Sequence, residues 1–458
     1  MHFSILTLFP DFIKQGLNTS ILGRAFSKGL LSYNVINIRD FSEDKNGRVD
    51  DYTYGGGAGM LMQAQPVYDA YRSAVKESGK VRCIYLTPQG RPFTQKDAEE
   101  LSKEKELVFL CGHYEGIDER VLEEVVTDRY SIGDYVLTGG ELPALVMIDS
   151  ISRLVPGVLG NETSSETESF YGDLLEYPQY TRPEVWMDKK VPPELLTGNT
   201  RQINAWRTQK AEELTEKVRP DLYKKYQLRN KYIEILLKDK RNNIQMIEAL
   251  RRGTGEIISE NPFIIYMSCD DLVLLGLDEV VTADELFSMI PESVTGIVCG
   301  SKCADELEKD ERLYRSCDVY NYVYTENVPK RIVNKDIRQL DLSYADYLKA
   351  TYELIDDEEY VKERISAGVV HGIFVDGELA GYIGTHGEGS IGMLYVDERF
   401  RHRGLAADLE GFMFNRDLKA GRTPYGQVIL SNSASISLQE KVGVYGGDKV
   451  LTWLHRKK

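Results

Sequence analysis

The sequence predicts an α/β fold for its first third, a mostly helical stretch next, and a second mixed region that closes in an α+β pattern. Three observations carry this expectation. Between Met1 and about Gly160 the short apolar runs FSILTL, YNVINI, CIYLT and LVFLC alternate with helical stretches, as buried strands of an α/β domain do. From PPELLTGNTRQINAWR towards Arg252 the periodicity is helical with a Pro-marked start. HGIFVDGELAGYIGTHGEGSIGMLYV then holds three strand-like runs joined by Asp376-Gly377 and by a turn at Gly387 to Gly389, which predicts an antiparallel meander.

A chain of 458 residues is long enough for about three domains. With 42% hydrophobic and 28% charged residues and no apolar run of bilayer length, it is expected to be soluble and free of membrane. MHFSILTLFPDF has no basic leader or cleavage site and is expected to be a buried first strand of a cytoplasmic protein. Cys83, Cys111, Cys269, Cys299, Cys303 and Cys317 form no CxxC pair, and no histidine stands at zinc-ligand spacing; reduced thiols and no metal site are expected.

A net charge of -16 opposes a nucleic-acid partner when taken alone. The charge is uneven. Acid gathers in CDDLVLLGLDEVVTADELF from Cys269 and ELIDDEEY from Glu353, whereas Arg201 to Asn230 carries eight Lys or Arg against four Asp or Glu, among them Arg201, Arg207, Lys210, Lys217 and Arg219. On that stretch alone a solvated helix face outweighs RNA contact. The expected organisation is 1-160, a linker at 161-168 (NETSSETE), a helical domain at 169-250, a break at GTGEIISENP, an accessory α/β segment at 259-330 and an α+β domain at 331-458.

Three glycine-bearing loops stand in the first region, each after an apolar run: YLTPQG from Tyr85, CGHYEGIDER from Cys111 and SIGDYVLTGGELPAL from Ser131. Glycine lets backbone amides and carbonyls approach a small ligand closely. Singly these loops are ordinary turns. Together with LFPDF at Leu8, GRAFSKGLL at Gly23, RVDDYTYGGGAGM at Arg48, DSISRLVPGVLG at Asp149, LLEYPQYTRPEVW at Leu174, GNTRQINAWR at Gly198 and RPDL at Arg219, they resemble the bacterial tRNA (guanine-N1)-methyltransferase TrmD family of the SPOUT class over roughly the first 235 residues.

The resemblance implies a trefoil-knotted domain that binds S-adenosylmethionine, a helical tRNA-binding domain after it, and a homodimer formed through the knotted domain. It places Tyr85, Leu86, Pro88, Gly112, Tyr114, Glu115, Ile132, Gly133, Tyr135, Leu137, Gly139, Gly140 and Pro143 around the cofactor. For Ile132 and Leu137 core packing is the plain alternative. It makes Glu168 the general base that takes the N1 proton of guanosine 37 of tRNA, and Arg153 the guanidinium that steadies charge on O6. The family usually has aspartate where this chain has Glu168, and Glu166 is a rival by position. Gln179 stands where relatives often have histidine. Magnesium is implied by the family, without a recognisable ligand motif here.

Near the C-terminus VDERFRHRGLA from Val396 and NSASISLQEKVG from Asn432 resemble two motifs of the GNAT acyltransferase superfamily. That resemblance implies acetyl-coenzyme A, with Arg401, Arg403, Gly404 and Asn432 at its site; amides at a strand-to-helix turn suit a pyrophosphate. Gln439 replaces the tyrosine that many relatives use as general acid. The leading expectation is a tRNA methyltransferase fused to an N-acyltransferase whose residues from about 255 onward are separable. The competing expectations are an RNA-binding protein whose GNAT-like part only recruits a partner, and a methyltransferase acting on ribosomal RNA.

Overall fold

The computed structural model describes residues 1-56, 59-75, 81-159, 169, 171-259, 263-267, 271-326, 328-334, 336-352 and 358-457. The chain divides into two compact units, Met1–Glu166 and Thr167–Lys458. Among the described residues no helix is long and apolar enough to cross a membrane. The linker expected at 161-168, with Glu166 and Glu168, lies outside the described residues.

In the first unit β1 (His2–Thr7), β2 (Ser32–Asn37), β3 (Arg82–Pro92), β4 (Glu106–Leu110) and β5 (Asp128–Ser131) form, among the described residues, one parallel sheet in the order β2-β1-β4-β3-β5. Helices cover both of its faces, which is why the strands are apolar along their length rather than alternating. On one face Phe3, Ile5, Leu107 and Phe109 pack with α1 (Pro10–Leu17) and α2 (Glu141–Ser152); on the other Leu6, Val108 and Leu110 pack with Val67 and Val121. YNVINI departs from the burial expected of it. It is the sheet's edge, and only Ile36 of β2 is buried.

β3 also differs from its expected shape, because it continues past the YLTPQG loop. Leu86 and Arg91 both pair with Tyr130, so Thr87 to Gly90 bulge out of an otherwise continuous strand. Gly90 lies against the Tyr130 backbone where a Cβ would collide.

The second unit opens with α3 (Thr200–Val218), α4 (Pro220–Leu236) and α5 (Ile244–Arg252). Asn199 starts α3 by accepting from the Arg201 amide at 3.1 Å. Beyond lie β6 (Glu256–Ser259), β7 (Ile264–Met267), β8 (Leu272–Leu275), β9 (Gly296–Gly300), β10 (Leu313–Val323), β11 (Ile337–Gln339), α6 (Ala345–Thr351), α7 (Glu358–Ser366), β12 (His371–Val375), β13 (Glu378–Thr385) and β14 (Ile391–Val396). α8 (Leu405–Lys419), β15 (Tyr425–Ile429), α9 (Ser433–Lys441), β16 (Tyr445–Gly446) and β17 (Leu451–Arg456) complete it.

The expected meander is present as β11-β12-β13-β14, with Asp376 (φ 51°) and Gly377 (φ 84°) making its two-residue turn. The other sheet runs β6-β7-β8-β9-β17-β10-β15, with β16 paired to β10. It crosses the boundary expected at 330/331. β10 lies between the C-terminal strands β15 and β17, so 259-330 is part of one sheet with the chain's end and not an accessory layer. The boundaries at 250 and about 255 fare no better: Tyr232, Leu236, Met246, Ile247 and Leu250 of α4 and α5 share a core with Ile265, Leu274, Val298 and Leu451. The facing edges of the two sheets, β14 and β15, approach where Gly426 meets the Ile391 carbonyl, yet no ladder joins them.

Candidate active sites

In the first unit the loops after β4 and β5 meet the stretch of β3 that begins at Tyr85 and bulges at Thr87 to Gly90. The buried Tyr85 ring lies on Gly112, where a Cβ would come within 3.0 Å of it. Gly112 accepts from the Gly140 amide at 2.9 Å, and Gly140 is so near Cys111 that a Cβ would sit 2.7 Å from its Cα. Gly139 is flanked by Glu141 and His113, with room for no side chain. Gly133 carries the folded-over Tyr135 ring. Leu86 is in the core, Ile132 packs against it, and Pro143 is buried in the first turn of α2. Leu137 is 37% exposed and Tyr135 55%, so Leu137 is not a core residue. Pro88 rides on the bulge of β3. Tyr114 is left-handed at φ 58°, its hydroxyl accepting from Arg39 at 3.3 Å, while the Glu115 amide donates to Met60 at 3.0 Å.

Arg153 is exposed at the C-terminal end of α2, whereas Gly140 precedes its N-terminal end. Twelve helical residues separate them, about 18 Å at 1.5 Å per residue. One chain therefore does not bring Arg153 to its own loop cluster along this helix.

In the second unit the basic stretch divides. Arg201 and Lys217 are exposed on α3, Lys210 and Arg219 are paired with Glu213 and Asp221 at 2.6 Å, and the Arg207 guanidinium lies 4.9 Å over the Tyr177 ring. Arg229 is buried and paired with Asp173 at 3.0 Å, a structural role. Gln179 donates to Glu176.

The turn from Arg401 to Gly404 leads into α8. His402 (φ 62°) and Gly404 (φ 80°) are both left-handed, a backbone form that turns successive amides to one side, and open space surrounds Gly404. Arg401 donates to the Val396 carbonyl at 3.1 Å, and Arg403 lies 5.3 Å from the Phe400 ring centre. Asn432 caps α9 by accepting from the Ser435 amide at 3.0 Å, which accounts for it locally. Gln439 donates to Glu410 at 2.5 Å, and burial pushes the Glu410 carboxyl up to about 8. Sequence reasoning missed the bulge in β14: Met393 and Leu394 together oppose Ile383, with Met393 at φ 52°.

The family model for tRNA (Guanine-1)-methyltransferase TrmD matches residues 1-225, and that for FR47-like protein matches 366-452. A tRNA (guanine-N(1)-)-methyltransferase of Lachnospira eligens is 62% identical over 227 residues, which are 49% of this chain and 96% of that protein. The chain belongs to the TrmD family. Proteins of the same name from Lachnoclostridium phytofermentans (53% identical, 52% of this chain, 96% of that protein) and Clostridioides difficile (52% identical, 49% of this chain, 98% of that protein) match the same half.

Within the TrmD part, sequence reasoning also missed Glu141 and Thr7. Glu141 is 7% exposed at the start of α2, and Thr7 of β1 donates to it at 2.7 Å while accepting from the Phe9 amide at 2.9 Å. The pair ties the end of β1 to the helix that carries the third TrmD loop. The only signal was an acid directly after Gly139-Gly140 at a helix start. The glycines at 112, 139 and 140 let these loops pack on one another, since a Cβ at each would meet Tyr85, Glu141 and His113, or the Cys111 backbone. Among the described residues no three His, Cys, Asp or Glu side chains gather to hold a cation, and no step is assigned to magnesium.

Proposed function

We propose that the TrmD part transfers a methyl group from S-adenosylmethionine to N1 of guanosine 37 in tRNA, and that the FR47-like part is an acyl-coenzyme A site. The convergence of Tyr85, Gly112 and Gly140 at one end of a parallel sheet supports the first reading most strongly. Bound there, the cofactor supplies an electrophilic methyl. The chain's own work is to remove the proton on N1 and to steady charge on O6. Glu168 is the candidate base and Arg153 the candidate guanidinium.

The roughly 18 Å between Arg153 and the loop cluster favours a site completed by a second copy of the chain. Apolar exposure supports the same reading: Phe9 and Phe12 beside α2, and Leu142 and Val146 on it, are each 43-49% exposed. The expected knot and homodimer belong to this proposal.

In the second unit, the Arg401 to Gly404 turn is the candidate seat for the pyrophosphate. The slot between the unpaired edges of β14 and β15 suits the extended amide arm that follows, with its thioester end at the bulge of Met393 and Leu394.

Methylation of unmodified tRNA transcripts tests the first reading. Glu168→Gln is expected to keep S-adenosylmethionine affinity and lose transfer by about a hundredfold. Mixing inactive Gly140→Leu and Arg153→Ala chains is expected to restore about a quarter of activity, the yield of one intact site per mixed dimer. Parental activity in Glu168→Gln moves the base elsewhere, and no recovery on mixing removes the shared site.

A further inference from the structure

The acyl-coenzyme A reading sets a direction along β14. A pyrophosphate at the 401-404 turn lies beyond the strand's carboxyl end, so the arm runs back along the strand and its reactive end comes to the bulge at Met393. Whatever stands beside the start of β14 meets the acceptor. There, in the turn from β13, stands His386.

His386 is held from several sides. Its amide donates to the Ser390 carbonyl at 2.9 Å and its carbonyl accepts from the Gly389 amide at 3.0 Å, so the turn is closed on itself. The Tyr360 hydroxyl of α7 is 2.8 Å from Nδ1, and the two rings stack at 6.1 Å. Nε2 rests over Gly392, where any Cβ would collide with it, one residue before Met393. Tyr352, which follows α6, lies 6.5 Å from the imidazole and hydrogen-bonds the Met393 backbone. An imidazole fixed at Nδ1, with Nε2 beside the bulge, has the arrangement of an oriented base.

We propose that His386 is the general base of an N-acyl transfer to a primary amine, and that Tyr360 is the residue that positions it. This rests on the acyl-coenzyme A reading of the second unit. As the amine nitrogen bonds to the thioester carbon, Nε2 takes one of its protons and the C–S bond breaks. The electron pair leaves on sulfur, and the proton passes from the imidazole to the thiolate or to water. The products are an amide and free coenzyme A, with no oxidant or metal needed. Tyr347, Tyr352, Tyr360 and Tyr395 pack with the buried Tyr382 in the core beneath this side of the meander and hold the turn in place.

The test uses the full chain and needs no known acceptor. Calorimetry first measures acetyl-coenzyme A binding, and the chain is then treated with diethyl pyrocarbonate and its histidines are mapped by mass spectrometry. His386 is expected to be modified in the free chain and protected several-fold by acetyl-coenzyme A. Adenosine 3′,5′-bisphosphate, which lacks the arm, is expected to protect it little. Tyr360→Phe is expected to bind acetyl-coenzyme A as the parent does while changing the rate at which His386 is modified. If acetyl-coenzyme A binds but His386 is unreactive, or reacts equally with and without it, His386 does not stand at the thioester and the proposal is overturned while the acyl-coenzyme A reading survives. If acetyl-coenzyme A does not bind, both fall.

Discussion

Glu410 shows what a single carboxyl costs when a fold hides it. At 3% exposure, its Oε1 accepts from Gln439 and its other oxygen has no partner among the described residues, so burial holds the proton on and the group titrates at about 8. With the folded pKa above the unfolded value, its contribution to stability is complete below about 4.5 and is lost as pH rises towards 8. Glu410→Gln keeps an oxygen for the Gln439 amide and removes the charge. At about 1.4 kcal/mol per pH unit, the variant is expected to gain a few kcal/mol over the parent at pH 8 and almost nothing at pH 4.5. Thermal melts of both proteins at the two pH values check it. None of this was visible in the sequence, where Glu410 is one acid on an acidic helix and Gln439 is only a departure from a motif. Glu141 escaped for the same reason, since burial is a property of neighbours far along the chain. The glycines at 112, 139 and 140 were legible as close-packed positions, because a Cβ at each would meet a neighbouring loop.

At the scale of elements, a turn tests how closely backbone geometry follows residue type. The exposed hairpin of Val185–Trp186 and Lys189–Lys190 is closed by Met187 (φ 48°) and Asp188 (φ 60°), both left-handed and neither glycine. Asp188→Gly is expected to stabilise the second unit by about 1 kcal/mol, read as a rise in its denaturation midpoint. Had this turn held Asn-Gly, the hairpin would have been evident beforehand; with Met-Asp it was missed. Asp376-Gly377, by contrast, announced the meander, and three of its strands fall on the three runs the turns join. The bulge at Met393 left no such mark. An extra residue in a strand shifts the pairing without changing the composition, and the same holds for the excursion at Thr87 to Gly90 inside β3.

At the scale of the whole molecule, the division between Glu166 and Thr167 falls inside the stretch read as a linker, while the seams read near 250-255 and at 330/331 run through one sheet and one core. Composition breaks at GTGEIISENP suggested a seam, but Glu256 to Ser259 within it are the edge strand β6. The core itself runs through: Met246, Ile247 and Leu250 are covered by strands that follow them. A chain ended at Gly253 is expected to leave that face bare and to lose the ordered α4–α5 pair. Hydrogen exchange would show it as amides of 232-252 that no longer resist exchange, against protected amides in the full chain. Unchanged protection there would restore the seam.

The place of β17 has a consequence for how this protein is made. Last in order among the described strands, it lies between β9 and β10, which end at Gly300 and Val323. Both stand with one edge open until residues 451-456 have left the ribosome, a wait on the order of ten seconds at ordinary rates of synthesis. During that wait Ile297, Val298 and Val319 belong to a half-built sheet whose bare edge is the template other strands seek. Loss of residues 451-456 would therefore cost far more than those residues themselves, because the missing piece is the one that closes the sheet.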